Sequence, residues 1–168
     1  RNLTIVPFPL WADKKQSAQT FKIIEDTVSA VDYFKNSTVF KLADLDSVDK
    51  QFLVERHLMS LEHAQKSDSK AVIIDDDEIV SLMVNEEDHL RCQVMQSGFN
   101  LFEAWNIISK IDDALAKGLN FAFSTELGYL TACPTNVGTG MRGSVMLHLP
   151  ALVITRQIDR VLAAIAKL

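Results

Sequence analysis

The sequence predicts an α+β domain: a mostly antiparallel sheet carrying helices on one side. Three observations carry that reading. Apolar residues recur every three or four positions across 12–33, 100–118 and 150–165, the period of amphipathic helices. Between the first two stretches lie three β-like runs, at 71–75, 79–84 and 89–95, separated by acidic turns in the manner of a meander. The chain's 168 residues, 48% hydrophobic and 23% charged, suit one globular domain that buries roughly two-thirds of its unfolded surface.

The elements follow in order. Residues 1–12 hold two of the four prolines and read as an extended leading segment. Phe21, Ile24, Val28 and Val31 mark the buried face of the first helix, from Ala12 to Tyr33. A short strand is expected at 38–42. A helix from Ser47 towards Met59 carries Phe52, Leu53 and His57. The polar stretch 60–70 reads as a mobile loop. Asp76-Asp77 supplies the turn between the first two β-like runs. Asn100 with Glu103 three residues on forms a capping-box pattern for the next helix. Its stripe is Leu101, Trp105, Ile108, Ile111 and Leu115, and Gly118 suits the position just past its end. Strands are expected at 128–132 and 143–149. Pro150 opens a last helix with the face Ile154, Ile158, Val161 and Ile165.

Composition narrows the function. With 22 acidic against 17 basic residues and a net charge of −5, bulk nucleic-acid binding is not expected. Cys92 and Cys133 make no disulfide framework, which favours a reducing, cytoplasmic setting. No apolar run reaches the roughly 18 residues of a membrane span, and nothing at the front reads as a signal peptide. The chain opens at Arg1 without an initiator Met and closes at Leu168 within a helical pattern, so it is expected to be part of something longer.

Two segments gather reactive groups. The first is Asn85-Glu86-Glu87-Asp88-His89-Leu90-Arg91. Three consecutive acids repel unless a cation lies near, and a carboxylate pair beside a fixed Arg can hold a cationic substrate while the Arg holds an anion. The plainer alternative is a charged turn with a local salt bridge. The second runs from Tyr129 through Cys133-Pro134-Thr135-Asn136 to Gly138-Thr139-Gly140-Met141-Arg142. Cys133 could be a thiolate poised by neighbouring donors, the glycines let backbone approach an anion, and Arg142 could clamp a phosphate. Its plain alternative is a small buried Cys beside a tight turn.

Other chemistries are weaker. No Cys or His spacing suits zinc, and no metal ligands are assigned. The glycine stretch lacks the Lys-Ser/Thr of a phosphate-binding P-loop. His89 and His148 read as hydrogen-bonded strand residues, Cys92 as core, and Trp11 and Trp105 as packing residues.

NEEDHLR at 85–91 and GYLTACPTNVGTGMRGSVMLHLP at 128–150, in this order with a helix between, resemble the ATP:guanido phosphotransferase family, the phosphagen kinases. LVERHL at 53–58 and MLHLPAL at 146–152 are more similar to its bacterial protein-arginine kinase branch. The resemblance is thin over the first fifty residues. It implies an antiparallel sheet flanked by helices, with ATP and Mg²⁺ serving phosphoryl transfer to a guanidinium. Glu87 would align and deprotonate the guanidinium, with Asp88 supporting it and Glu86 beside the substrate. Cys133 would contact the guanidinium, with Thr135 and Asn136 as its substrate-side neighbours. Arg91 and Arg142 would bind nucleotide phosphates, and His57 would sit near the adenine.

Departures follow from the same comparison. The family's Ser-x-Arg-x-Arg stretch would precede Arg1, and its Arg-Gly-x-x-Gly-Glu loop would follow the last residue. Gly143 replaces a more usual Ala. The chain alone is therefore expected to be a partial catalytic domain over 1–168, weakly active or inactive. Expected substrates are arginine-bearing proteins, with a small guanidino metabolite as the alternative. A non-catalytic module binding arginine-bearing partners through Glu86, Glu87 and Asp88 is the third reading. Self-association into a homo-oligomer through an open sheet edge is a further expectation.

Overall fold

The computed structural model describes residues 1–66 and 68–167. Ser67, within the stretch read as a loop, and Leu168 lie outside the described residues.

The first helix, α1 (Lys14–Ala30), opens on a reciprocal cap. Asp13 accepts from the Gln16 amide at 2.8 Å, and the Gln16 side chain accepts from the Asp13 amide at 2.9 Å. Thr20, Ile24 and Val28, four residues apart, form its buried face. After it come β1 (Thr38–Lys41), α2 (Ser47–Glu55) and the single-turn α3 (Leu61–Ala64). Next are β2 (Ala71–Ile74), β3 (Val80–Val84), β4 (Leu90–Val94) and α4 (Leu101–Ala116). The chain closes with β5 (Phe123–Ser124), β6 (Gly128–Tyr129), α5 (Pro150–Ile154) and α6 (Ile158–Ile165).

Four strands form one antiparallel sheet in the order β1-β2-β3-β4, and β5 pairs with β6 in a separate ribbon. The β3–β4 register sets Met83 opposite Arg91 and Leu82 opposite Cys92. Side chains alternate across a strand, so this register sorts them onto two faces. Ile73, Val80, Leu82, Val84, Leu90, Cys92 and Val94 pack with Ile24 and Val28 of α1 and with Ile111 and Leu115 of α4. Val72, Ile74 and Met83 pack on the other face with Leu42, Leu53, Leu58 and Met59. Each fully buried Leu, Ile or Val adds about 1.5–3 kcal/mol, so both layers contribute heavily to stability. Helices therefore cover both faces of the sheet, not one as the sequence suggested. The β-meander and its acidic turn stand as expected.

Other elements differ from expectation for identifiable reasons. The second helix stops at Glu55, where His57 takes a left-handed φ of 59° and the amides of Leu58 and Met59 turn back to the Leu53 carbonyl. The polar stretch after it holds α3, capped by Ser60. Asn100 does not cap α4; its amide donates to the Ser97 carbonyl at 2.7 Å. Trp11 and Trp105 are exposed, at 71% and 47%, rather than packed inside. Residues 128–132 yield only the two-residue β6. The strand expected at 143–149 does not form, and His148 is exposed. A strand needs a partner for its amides and carbonyls, and no described strand lies beside this segment. The last helix is broken at Arg156, whose φ is 56°, and neither half buries a residue.

Candidate active site

The acidic run occupies the five-residue β3–β4 turn, closed by the Asn85 amide donating to the His89 carbonyl at 3.0 Å. Asn85 takes a left-handed φ of 58°, a conformation Asn tolerates better than most residues. Its buried side-chain amide donates to the carbonyls of Ser17 and Ser69, at 3.0 and 2.8 Å, and this fixes the base of the turn. His89 is buried and satisfied on both ring nitrogens. Nδ1 accepts from the Leu3 amide at 3.0 Å, and Nε2 donates to the Pro7 carbonyl at 2.9 Å. Burial lowers its pKa, and the buried neutral ring has no proton-transfer role here.

The three acids avoid mutual repulsion by facing three different neighbours. Glu86 is almost buried, and its Oε1 accepts from Ser60 Oγ at 2.6 Å and Arg91 Nη1 at 2.9 Å. Burial alone would raise its pKa, but the Ser60 hydroxyl, Arg91 and the Glu87 amide outweigh that and hold it below the usual value. Asp88 turns the other way. Its Oδ1 accepts from Asn2 Nδ2 at 2.6 Å and from the Ala132 amide at 2.7 Å. Glu87 alone is exposed, and its carboxylate has no hydrogen-bond partner among the described residues.

Glu87 stands at a cleft of about 550 Å³ lined by Ser60, Glu62, Lys70, Glu86, Glu87, Arg91 and Arg142. That volume lies within the roughly 300–1,000 Å³ of small-molecule sites. Four of the residues singled out from sequence therefore meet: Glu86, Glu87, Arg91 and Arg142. The cleft also gathers Lys70, whose pKa is lowered chiefly by burial despite the nearby Glu86. Three cations facing free carboxylates can hold an anion and a cation side by side.

The remaining predicted residues lie outside the cleft lining. Cys133 and Thr135 form a pair of their own, Sγ to Oγ1 3.0 Å, at the short 3₁₀ turn Pro134–Asn136 that includes Asn136. Asp88 connects this turn to the acidic run through the amide just before Cys133. The glycine loop is pinned by Arg1, which makes a forked pair with Asp112 at 2.9 and 2.6 Å and donates to the Thr139 carbonyl at 2.7 Å. His57 is exposed in the turn after α2, and its carbonyl accepts from Gln93 Nε2 at 2.5 Å. Cys92 is inert core: burial pushes its thiol up to about 12.

Sequence reasoning missed Ser60, Glu62, Lys70 and His63. Ser60 followed by Leu-Glu-His-Ala was a readable helix cap. His63 is fully buried on α3, with Nε2 donating to the Ala71 carbonyl at 3.0 Å and Nδ1 without a partner among the described residues. Burial lowers its pKa from 6.5 to about 4. Between those values the unfolded chain binds the extra proton, so stability falls as pH drops from about 6.5 through about 4. The shift corresponds to roughly 3 kcal/mol. Urea unfolding at a series of pH values should show that slope, and His63→Gln should flatten it. Glu86 adds a loss of the same sign at still lower pH.

A two-faced antiparallel sheet whose β3–β4 turn holds one free acid, Glu87, beside a cleft with Lys70, Arg91 and Arg142 defines the class as an α+β domain with a charged cleft. The chain belongs to the ATP:guanido phosphotransferase family. The family's C-terminal catalytic domain matches residues 19–168. The chain is 47% identical to a protein-arginine kinase from Symbiobacterium thermophilum over 171 aligned residues, covering 100% of this chain and 48% of that protein. It is 49% identical to the protein-arginine kinase of Brevibacillus brevis, over 98% of this chain and 47% of that one. It thus spans about half the length of the curated relatives it matches. Among solved structures, a taurocyamine kinase from Schistosoma mansoni with bound transition-state-analogue components matches at a TM-score of 0.84 and 26% identity. That match covers 95% of this chain and 24% of the other. A lombricine kinase shares the fold at a TM-score of 0.74 and 21% identity, over 83% of this chain and 43% of that one.

Proposed function

We propose that this chain carries the site of an ATP-dependent kinase that phosphorylates arginine side chains in proteins. The observation that supports it best is the division of labour in the acidic turn: only Glu87 is left free, beside a cleft holding Lys70, Arg91 and Arg142. A guanidinium, with a pKa above about 12, is a poor nucleophile until oriented and relieved of a proton. Glu87 takes that proton from the attacking nitrogen as the N–P bond forms and the bond from Pγ to the bridging oxygen breaks, releasing ADP. The three cations offset charge on the phosphates throughout. Cys133 and Thr135 contact the rest of the guanidinium, and His57 lies on the adenine side. Mg²⁺ supplies further charge neutralisation when bound with the nucleotide. It takes hard oxygen ligands, commonly one or two carboxylates plus substrate phosphates, and the cleft acid Glu62 fits that donor type.

Protein substrates are favoured because the relatives at 47–49% identity carry that name. The small-guanidine reading draws on the taurocyamine kinase likeness, at lower identity. No described helix is long and apolar enough to cross a membrane. A cytoplasmic setting supplies ATP and keeps Cys133 reduced. Incubating the complete protein with ATP and either an unfolded arginine-rich protein or free arginine separates the readings. Acid-labile phosphoarginine in the protein, seen by phosphorus NMR, is the expected product. Turnover of free arginine alone would favour the second reading, and none with either would overturn both.

A further inference from the structure

We infer that Ser60 is a positioning residue: through Glu86 it sets the guanidinium of Arg91 in the cleft. The inference rests on the kinase reading above and assigns work to a residue outside both sequence motifs.

The proton directions along the chain are forced. A backbone amide can only donate, so Ser60 Oγ accepts from the His63 amide at 3.1 Å. An ionised carboxylate can only accept, so the same hydroxyl donates to Glu86 Oε1 at 2.6 Å. Arg91 Nη1 reaches that same oxygen at 2.9 Å, and Glu86 Oε2 accepts from the Glu87 amide at 3.2 Å. Glu86 is therefore engaged at both oxygens and nearly buried, with a side chain 7% exposed against 40% for Arg91. Its Oε1 is committed to Ser60 and Arg91, and little of the side chain is left exposed to a substrate. Arg91, in turn, keeps Nη2 and Nε without partners among the described residues, free to meet an anion.

Arg91 is held by one nitrogen only. A single hydrogen bond leaves a guanidinium free to swivel unless the accepting oxygen is itself fixed. Ser60 supplies that fix from α3, 26 residues away in sequence. Removing its hydroxyl leaves Oε1 with Arg91 alone, and the pair then moves together towards solvent.

The test uses the complete protein with three variants. Ser60→Ala should raise the KM for ATP by about 3- to 10-fold, with kcat nearly unchanged. Ser60→Thr, which keeps both donor and acceptor, should restore it. Ser60→Asp caps α3 as well as Ser but has no proton to donate and places a second carboxylate against Glu86. It should raise KM at least as far as Ser60→Ala, with α3 still capped. An unchanged KM in Ser60→Ala, or a full rescue by Ser60→Asp, would overturn the inference and leave Ser60 a helix cap. If the parent shows no turnover, the kinase reading fails separately, and calorimetric ATP affinity reads the same comparison. Absence of ATP binding in the parent would overturn both.

Discussion

Replacing Glu87 by Gln in the complete protein should lower turnover by about 10²- to 10⁴-fold, the range expected for loss of a general base. ATP affinity should stay within about twofold, because the carboxylate faces the cleft without bonding Lys70, Arg91 or Arg142. The fold should be untouched, since Glu87 is exposed and its side chain bonds nothing among the described residues. Steady-state kinetics beside calorimetric ATP binding reads both quantities. Near-normal turnover would remove Glu87 from the chemistry. A matched loss of nucleotide affinity would place it on the phosphates instead.

One residue further along, the same substitution logic gives the opposite result. Asp88→Ala should destabilise the protein by roughly 3 kcal/mol, because two donors, Asn2 Nδ2 and the Ala132 amide, lose one shared acceptor. Activity should fall with it, since Ala132 precedes Cys133 and the thiol's turn is no longer tied to the acidic run. Asp88→Asn, which keeps an oxygen in place, should recover much of the stability. Denaturant unfolding of the two variants distinguishes this from a catalytic role, which would leave stability unchanged.

The contrast between these neighbours shows what the sequence could and could not reveal. The meander was legible because its runs are apolar and its turns acidic. The cover on both faces was legible too, in hindsight: AVII and VSLMV are nearly continuous apolar runs, the mark of strands buried on both sides. The acidic run was visible as a site, but its internal division was not. Glu86 was read as lying beside the substrate, and its bonds to Ser60 and Arg91 were not foreseen. That depends on a partner 26 residues away, and Asp88 depends on Asn2, 86 residues away. Local pattern carries no information about such pairings. The segment 143–149 was misread for a related reason: its alternation is that of a strand, but a strand exists only beside another.

Those long separations also order the events of folding. The strands β2, β3 and β4 are consecutive hairpins, so their pairing closes only short loops. The acidic turn is locked by Asn2, Ser17 and Ala132, at separations of 86, 68 and 44 residues. Contacts that span so much chain form after the local hairpins have brought their surroundings together. The meander, with the Asn85–His89 closure of its turn, is expected to form early, and the side-chain contacts that lock that turn to Asn2, Ser17 and Ala132 late. Changes at Asp88 act on the rate at which the native state opens, more than on the rate at which it is reached. The chain can therefore vary its acidic turn without blocking its route to the native fold.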